Sequence, residues 1–168
     1  MPSRTSTEIR PARRGDEPEI VAMIHELAAF ERASDQCRVT ENQITAALFG
    51  DDASASCLIA DVDGNIAAMA LWFRSFSTWD GAAGIHLEDL FVRERFRRRG
   101  LARSMLATLA DECVQRGYTR LSWAVLDWNT DAIALYDRVG AVPMREWITY
   151  RVSGPRLAAF ALERPGGA

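Results

Sequence analysis

The chain is most distinctive at Leu87–Ala102, where it reads LEDLFVRERFRRRGLA. An apolar run typical of a strand leads into a turn with several arginines and a glycine, and a long amphipathic helix follows. The free N–H groups at a helix start, the helix dipole and guanidinium charge all attract anions. Gly100 and Ala102 have almost no side chain, so a phosphate can approach the main chain closely. We interpret this stretch as a cradle for a pyrophosphate.

Charge alone leaves two other interpretations of the arginine run open. The run can be a solvated face, or a patch that binds nucleic acid. Its position between a strand and a helix favours the phosphate interpretation. A Walker loop is excluded because the turn contains no Gly-Lys-Ser/Thr, and the glycine fingerprint of dinucleotide-binding folds is also missing.

The rest of the chain alternates between strand-like and helix-like patterns. Asp63-Gly64-Asn65 predicts a hairpin turn between two strands. Helical spacing of apolar residues predicts a long helix after Gly100, with Val114 among the residues of its apolar face. The pattern predicts one α/β domain over residues 1–168 with a central mixed sheet. We expect strands at 7–11, 56–62, 66–76, 85–92, 121–126 and 142–152, and helices at 16–30, 40–50, 101–117, 129–140 and 156–162.

Composition and charge limit the possible classes of function. With 168 residues, 48% of them hydrophobic, the chain can bury one sizeable core. The net charge of −3 gives no global attraction to nucleic acid or anionic lipid. Cys37, Cys57 and Cys113 form neither a disulfide framework nor a metal-ligand spacing. No apolar run approaches the ~20 residues that span a bilayer, and the N-terminus lacks a signal-peptide pattern. We therefore expect a cytoplasmic protein without a metal site.

The arginine turn also carries a family resemblance. Residues 97–102, RRRGLA, resemble the acetyl-CoA pyrophosphate signature of the GNAT superfamily of N-acetyltransferases, Gln/Arg-x-x-Gly-x-Gly/Ala. The resemblance implies a GNAT-type twisted mixed β-sheet flanked by helices on both faces, with acetyl-CoA as acetyl donor. Relatives are commonly dimers, so it also implies a homodimer. Five more blocks are similar, in order and spacing, to the diamine (spermidine/spermine and thialysine) acetyltransferase subfamily: HELAAFE at 25–31, STW at 77–79, LEDLFV at 87–92, AVLDWN at 124–129 and LYDRVGA at 135–141.

Contacts to CoA follow from the same resemblance. We expect main-chain groups at the end of the strand to face the pantetheine arm, and one of their N–H groups to hold the oxyanion. Asn129 is also a plausible N-cap, and a contact to CoA is compatible with that role. The expected cofactor-binding residues are Leu90, Phe91, Val92, Arg97, Arg98, Arg99, Gly100, Leu101, Ala102, Arg103 and Asn129.

Two residues are the candidates for proton transfer. An alkyl ammonium has a pKa near ~10.4, so a base must remove its proton before it attacks a thioester. Glu88 is the leading base, acting through a water, although an acid at a strand end can be purely structural. Tyr136 lies on an apolar helical stripe and would ordinarily be core. The resemblance matches it to the tyrosine that protonates the departing thiolate.

The resemblance also indicates where the acceptor amine binds. Phe30, Glu31 and Trp79 match substrate contacts of the subfamily, and an aromatic face beside a carboxylate suits an ammonium group. Each also has an ordinary structural explanation. Strand alternation places Asp89 on the face opposite Glu88 unless a bulge intervenes, so we assign Asp89 only to amine recognition. His86 shares the face of Glu88 and is a weaker candidate for relaying a proton.

These observations predict an enzyme that acetylates a primary amine of a small molecule, such as a polyamine, a diamine or a lysine-like amine. Direct transfer in a ternary complex is expected because no cysteine lies in the motif blocks. Three alternatives stay open. They are a GNAT enzyme acting on a protein or peptide amine, an amino acid or an antibiotic; a non-catalytic CoA-binding module; and a nucleic-acid-binding domain.

Overall fold

The computed structural model describes residues 6–165 and contains one five-stranded sheet with helices on both faces, as predicted. No helix within this described part is long and apolar enough to cross a membrane. The strands are β1 (Thr7–Pro11), β2 (Ser56–Val62), β3 (Asn65–Ser77), β4 (Ala82–Val92) and β5 (Leu121–Trp123). The helices are α1 (Glu17–Phe30), α2 (Glu41–Phe49), α3 (Leu101–Arg116), α4 (Thr130–Arg138) and α5 (Gly154–Ala161), with a 3-10 turn at Glu94–Phe96.

The sheet is mixed. Its strands lie in the order β1-β2-β3-β4-β5, with antiparallel pairing everywhere except between β4 and β5, which are parallel. The β2–β3 hairpin turns at Asp63 and Gly64, whose φ angles are +52° and +78°. Two successive positive φ angles are typical of the tight turn that matches the twist of a hairpin. The Asp-Gly signal in the sequence therefore predicted the connection correctly.

Each face of the sheet has its own core. On one face, α3 packs Met105, Leu106 and Leu109 against apolar residues of β2, β3 and β4. On the other, α1 and α2 pack Ile20 and Met23 with their neighbours against the same strands. Val114 was predicted on the buried side of α3, but 74% of it is exposed, and Cys113 is buried instead. The apolar stripe of α3 thus ends one residue earlier than its spacing suggests.

Strand β4 contains a bulge at Glu88. Leu71 of β3 pairs with Asp89 and Trp72 pairs with Leu87, so Glu88 has no partner in β3. An extra residue of this kind reverses which residues face which side of the sheet. Beyond the bulge, Leu90 faces the α3 core and Phe91 faces the α1 core. The uninterrupted alternation that would separate Asp89 from Glu88 is therefore wrong.

Two predicted strands differ in the structure. β5 ends at Trp123 rather than at residue 126, because it pairs with β4 only along Ile85–Leu87. Residues 142–152 form no strand, although Ile148, Tyr150 and Val152 alternate as in a strand. A strand needs a neighbour for its main-chain groups, and no strand within residues 6–165 lies beside this segment.

Helix α1 is attached to the sheet edge by a largely buried ion pair. The Arg10 guanidinium on β1 donates to both carboxylate oxygens of Asp16, at 2.7 and 3.0 Å. The main-chain N–H of Arg13 also donates to Asp16, at 2.7 Å. These contacts, the hydrogen bond from Arg10 first, lower the pKa of Asp16. The carboxylate therefore stabilises the fold above its unfolded-state pKa of about 3.9, and this contribution is lost as pH falls through the lowered folded-state pKa.

We predict that Asp16→Ala lowers the free energy of unfolding by about 3 kcal/mol at pH 7, because it leaves the Arg10 charge buried without a partner. The cost should shrink progressively as the pH falls below about 3.9, because protonation of Asp16 then favours the unfolded chain of the parent protein. Urea unfolding at several pH values measures both effects. Glu8→Ala is the control, since Glu8 makes only an exposed contact with Arg13, and it should cost less than about 0.5 kcal/mol. An equal cost for the two variants would contradict the prediction.

Candidate active site

A cleft of about 510 Å³ opens where β4 and β5 part. Because β5 pairs with β4 only as far as Leu87, no strand of the described chain lies beside the rest of β4 on the β5 side. Main-chain N–H and C=O groups of this edge are therefore available to a ligand. The cleft is lined by this part of β4, the turn that follows it, the first turn of α3, the loop 124–129, α4 and the end of α1.

One wall of the cleft is the predicted phosphate cradle. β4 leads through the 3-10 turn into residues 97–100, and Phe96 anchors the turn in the α3 core. Gly100 has a φ of +78°, a conformation that a residue with a side chain rarely adopts. A Cβ built on Gly100 would meet nothing within 4 Å, so open space lies beside its main chain. No side chain among residues 6–165 caps α3, so the first N–H groups of the helix are available to bind an anion.

The arginines of the turn are used in different ways. Arg93 forms ion pairs with Glu19 and Glu26 and donates to the carbonyl of Ile66, so it attaches α1 to the sheet. The guanidinium of Arg99 lies on the ring of Phe96 and donates to the carbonyl of Arg95; Arg99 does not line the cleft. Of the predicted cofactor-binding residues, those that line the cleft are Leu90, Phe91, Val92, Arg97, Arg98, Gly100, Leu101, Ala102, Arg103 and Asn129.

Both predicted catalytic side chains line this cleft. Glu88, at the bulge, keeps 57% of its side chain exposed and lies 3.9 Å from Nε2 of His86. Tyr136 projects from α4 and packs on Trp123, with ring centroids 4.9 Å apart. Burial, and then the charge of Glu31, raises the pKa of Tyr136, so its hydroxyl stays protonated at neutral pH. Asn129 caps α4 by accepting the N–H of Ala132 at 3.3 Å.

A cluster of three carboxylates lies at the same end of the cleft. Glu31 follows the end of α1, and the bulge brings Asp89 to the cleft beside Glu88. Burial, followed by the charges of Glu88 and Glu31, raises the pKa of Asp89 to about 6. Burial also raises the pKa of Glu31. A cluster of like charges with one of them largely buried is unfavourable by itself and favours a cationic ligand.

Aromatic rings form the wall next to the carboxylate cluster. Phe30 packs on Trp128, with ring centroids 5.7 Å apart, and both line the cleft. Sequence reasoning assigned no role to Trp128, although its block was part of the family resemblance. Trp79 lies elsewhere: it is 87% exposed, packs on Trp147 at 6.1 Å and does not line the cleft. The structure thus brings together every predicted acceptor-binding residue except Trp79.

We predict that Asp89→Asn stabilises the protein at pH 7.5 by about 2 kcal/mol, since the folded state must ionise a carboxyl whose pKa is raised from 3.8 to about 6. In the parent, this group favours folding at pH 4, and the benefit is lost as pH rises through 6. The gain from the substitution should therefore vanish near pH 4. Urea unfolding at both pH values tests this, with Asp111→Asn on the surface of α3 as control. Destabilisation by Asp89→Asn at pH 7.5 would contradict the burial argument.

Comparison with known proteins agrees with this geometry. Residues 20–141 match the acetyltransferase (GNAT) family. The chain is 38% identical over 148 residues to the thialysine N-epsilon-acetyltransferase of Caenorhabditis elegans, covering 86% of this chain and 91% of the relative. Its fold is similar to an integron cassette protein from V. cholerae (TM-score 0.78, 22% identity, 93% and 98% coverage). It is also similar to an aminoglycoside N-acetyltransferase in complex with CoA (TM-score 0.71, 18% identity, 90% and 98% coverage). The chain therefore belongs to the GNAT family and is an N-acetyltransferase.

Proposed function

We propose that this enzyme transfers the acetyl group of acetyl-CoA to a primary amine of a small molecule, directly and within a ternary complex. The observation that carries the proposal is the division of charge in one cleft. An uncapped helix start with arginines forms one wall, and three carboxylates lie at the other end, with Tyr136 between the same walls. A donor with phosphates and an acceptor with an ammonium group fit this arrangement.

The described residues fit acetyl-CoA in both charge and shape. Arg98 and Arg103 line the cleft, and neither has an acidic partner within residues 6–165. The open space beside Gly100 lets a pyrophosphate approach the main-chain N–H groups of the turn. The edge of β4 at Leu90–Val92, unpaired on the β5 side in the described chain, offers main-chain groups to the amide-rich pantetheine arm, apart from the Val92 carbonyl, which accepts from Arg97. A fold neighbour is an aminoglycoside N-acetyltransferase in complex with CoA, which supports a CoA thioester as the donor.

The acceptor end favours a small alkyl amine. Glu31, Glu88 and Asp89 attract an ammonium group, and the rings of Phe30 and Trp128 offer an apolar wall to a short alkyl chain. The similarity to a thialysine N-epsilon-acetyltransferase supports a lysine-like amine or a diamine as acceptor. A protein or peptide amine is the alternative, and a substrate panel separates the two.

The side chains then have distinct roles in the reaction. Asp89 holds the ammonium group, and Glu88 accepts its proton through a water, which leaves the amine free to attack the thioester carbonyl. A main-chain N–H near Leu90 stabilises the oxyanion, and Tyr136 donates its hydroxyl proton to the departing thiolate. Acetyl transfer through a cysteine is disfavoured, since none of the three cysteines lines the cleft and burial raises the pKa of Cys57 to about 12.

We predict that the parent protein binds CoA in calorimetry and acetylates at least one lysine-like amine or diamine. Tyr136→Phe should lower kcat about 100-fold with little change in CoA affinity, because only the proton donor is lost. Glu88→Gln should lower kcat at least about tenfold. Tyr118→Phe and Glu112→Gln, outside the cleft, are the matched controls.

The alternatives give different results in the same experiment. A non-catalytic CoA-binding module predicts CoA binding without turnover of any amine. A protein acetyltransferase predicts turnover of peptides but not of free amines. Failure of the folded protein to bind CoA at all would reject the proposed function.

We also propose that the enzyme is a homodimer formed through its C-terminal segment, residues 142–162. This segment contacts the rest of the chain at Trp147 on Trp79, and its large apolar residues are exposed to solvent. An apolar surface of this extent is typical of a protein–protein interface. A second copy fits because the segment alternates like a strand and the outer edge of β5 has no partner within residues 6–165. The exposed residues are Val142, Met144, Trp147, Ile148, Tyr150, Val152, Leu157, Phe160 and Leu162.

We predict that light scattering gives twice the chain mass of 18.7 kDa. The double substitution Ile148→Asp and Tyr150→Asp should give a monomer, because two buried charges oppose association. Val114→Asp is the matched control, since Val114 is equally exposed but lies on α3. A parent protein that is monomeric at all accessible concentrations would reject this proposal.

A further inference from the structure

The side chain of Arg97 is occupied by contacts with other parts of the protein. Its Nε–H donates to the carbonyl of Val92 at 3.0 Å. Its Cζ lies 5.2 Å from the ring centroid of Phe30 and 5.7 Å from that of Phe91. A guanidinium that contacts two rings and a carbonyl has little freedom left to reach a phosphate. Arg98, the next residue, makes no comparable contact in the described part of the chain.

The contacts of Arg97 connect the phosphate turn with the acceptor end of the cleft. Phe30 is the last residue of α1, directly before Glu31, and it also packs on Trp128. Phe91 lies on β4 two residues after Asp89. The position of Arg97 therefore affects both the aromatic wall and the two elements that carry these acceptor carboxylates.

Helix α1 gives a second reason for a cation at this place. The C-terminal end of a helix carries partial negative charge and favours a nearby positive group. The last turn of α1 contains no basic residue. Two cations lie near this end of the helix: Arg32, which follows α1 and lies 5.7 Å from the ring centroid of Trp128, and Arg97, which lies 5.2 Å from that of Phe30.

We propose that Arg97 is a positioning residue that couples the phosphate turn to the acceptor pocket, and that its guanidinium is not a phosphate ligand. This inference rests on the proposed function. When the turn closes on a pyrophosphate, Arg97 holds Phe30 and the end of α1 in the arrangement that binds the amine. The donor and the amine then bind cooperatively, because one ligand orders contacts that the other needs.

Neighbouring substitutions in the turn separate the two roles. Arg98→Ala should weaken CoA binding about tenfold and reduce its dependence on salt, because a phosphate contact is lost. Arg97→Ala should change CoA affinity by less than about threefold with an unchanged salt dependence, and should raise the KM for the amine about tenfold. If Arg97→Ala reduces the salt dependence as Arg98→Ala does, Arg97 is a phosphate ligand and the proposal is wrong.

Conservative variants at position 97 give an independent test. Arg97→Lys keeps a cation near the two rings but loses the Nε–H donor to the Val92 carbonyl, whereas Arg97→Gln keeps a donor at the Nε position and loses the charge. The proposal expects both variants to keep the CoA affinity and salt dependence of the parent, and expects the KM for the amine to be closer to the parent value in Arg97→Lys, which keeps the cation–ring contacts. A phosphate ligand predicts instead that Arg97→Gln weakens CoA binding and reduces its salt dependence while Arg97→Lys does not.

A double-mutant cycle of Arg97→Ala with Phe30→Ala measures the energetic coupling between these two side chains. The two substitutions should be clearly non-additive in the KM for the amine, and additive effects would overturn the proposal. The CoA titrations need no acceptor, so they test Arg97 even if no amine is turned over. Failure of the proposed function would appear in the parent protein, and failure of this inference only in the variants.

Discussion

The site depends on the early end of the pairing between β4 and β5. The two strands are hydrogen-bonded only along three residues, and β4 then continues with β3 as its one neighbouring strand in the described chain and with a bulge at Glu88. The missing neighbour leaves main-chain groups of β4 free for a ligand, and the bulge brings Asp89 to the cleft beside Glu88. A regular five-stranded sheet would satisfy the same main-chain groups internally and leave no room for a substrate. The irregularity in the sheet is therefore the feature that makes a catalytic cleft.

Several arginines of the run are bound to other parts of the protein, so the run offers a ligand less charge than its sequence suggests. Arg93 is taken up by ion pairs with α1, and Arg99 by the ring of Phe96 and a main-chain carbonyl. Arg97 lies against the ring of Phe30 at the acceptor end of the cleft. Within the arginine run, only Arg98 and Arg103 line the cleft without a protein partner in the described chain. Much of the run therefore positions the turn, and the helix start and main chain supply much of the attraction for phosphate.

Local sequence patterns predicted most helices and strands correctly. They missed the features that depend on how one strand pairs with another. The strand–turn–helix unit around Gly100 could be predicted from neighbouring residues alone. Glu88 and Tyr136 were selected with the help of the family resemblance, and both line the cleft. The side of the sheet that Asp89 faces depends on how β3 pairs with β4, which period-two alternation cannot show. Residues 142–152 have a strand pattern but no neighbouring strand within this chain. Trp79 lies outside the cleft because its position is set by the turn that ends β3.

The acceptor end of the cleft is costly for the protein without a ligand. Asp89 is mostly buried, close to two other carboxylates, and its pKa of about 6 means that it is still largely ionised at neutral pH. Replacing such a group with a neutral one relieves repulsion, so its presence is better explained by binding than by stability. An ammonium group placed among the three carboxylates would remove the repulsion and lower the pKa of Asp89. Relief of this repulsion would therefore contribute to the affinity of the cleft for a cation.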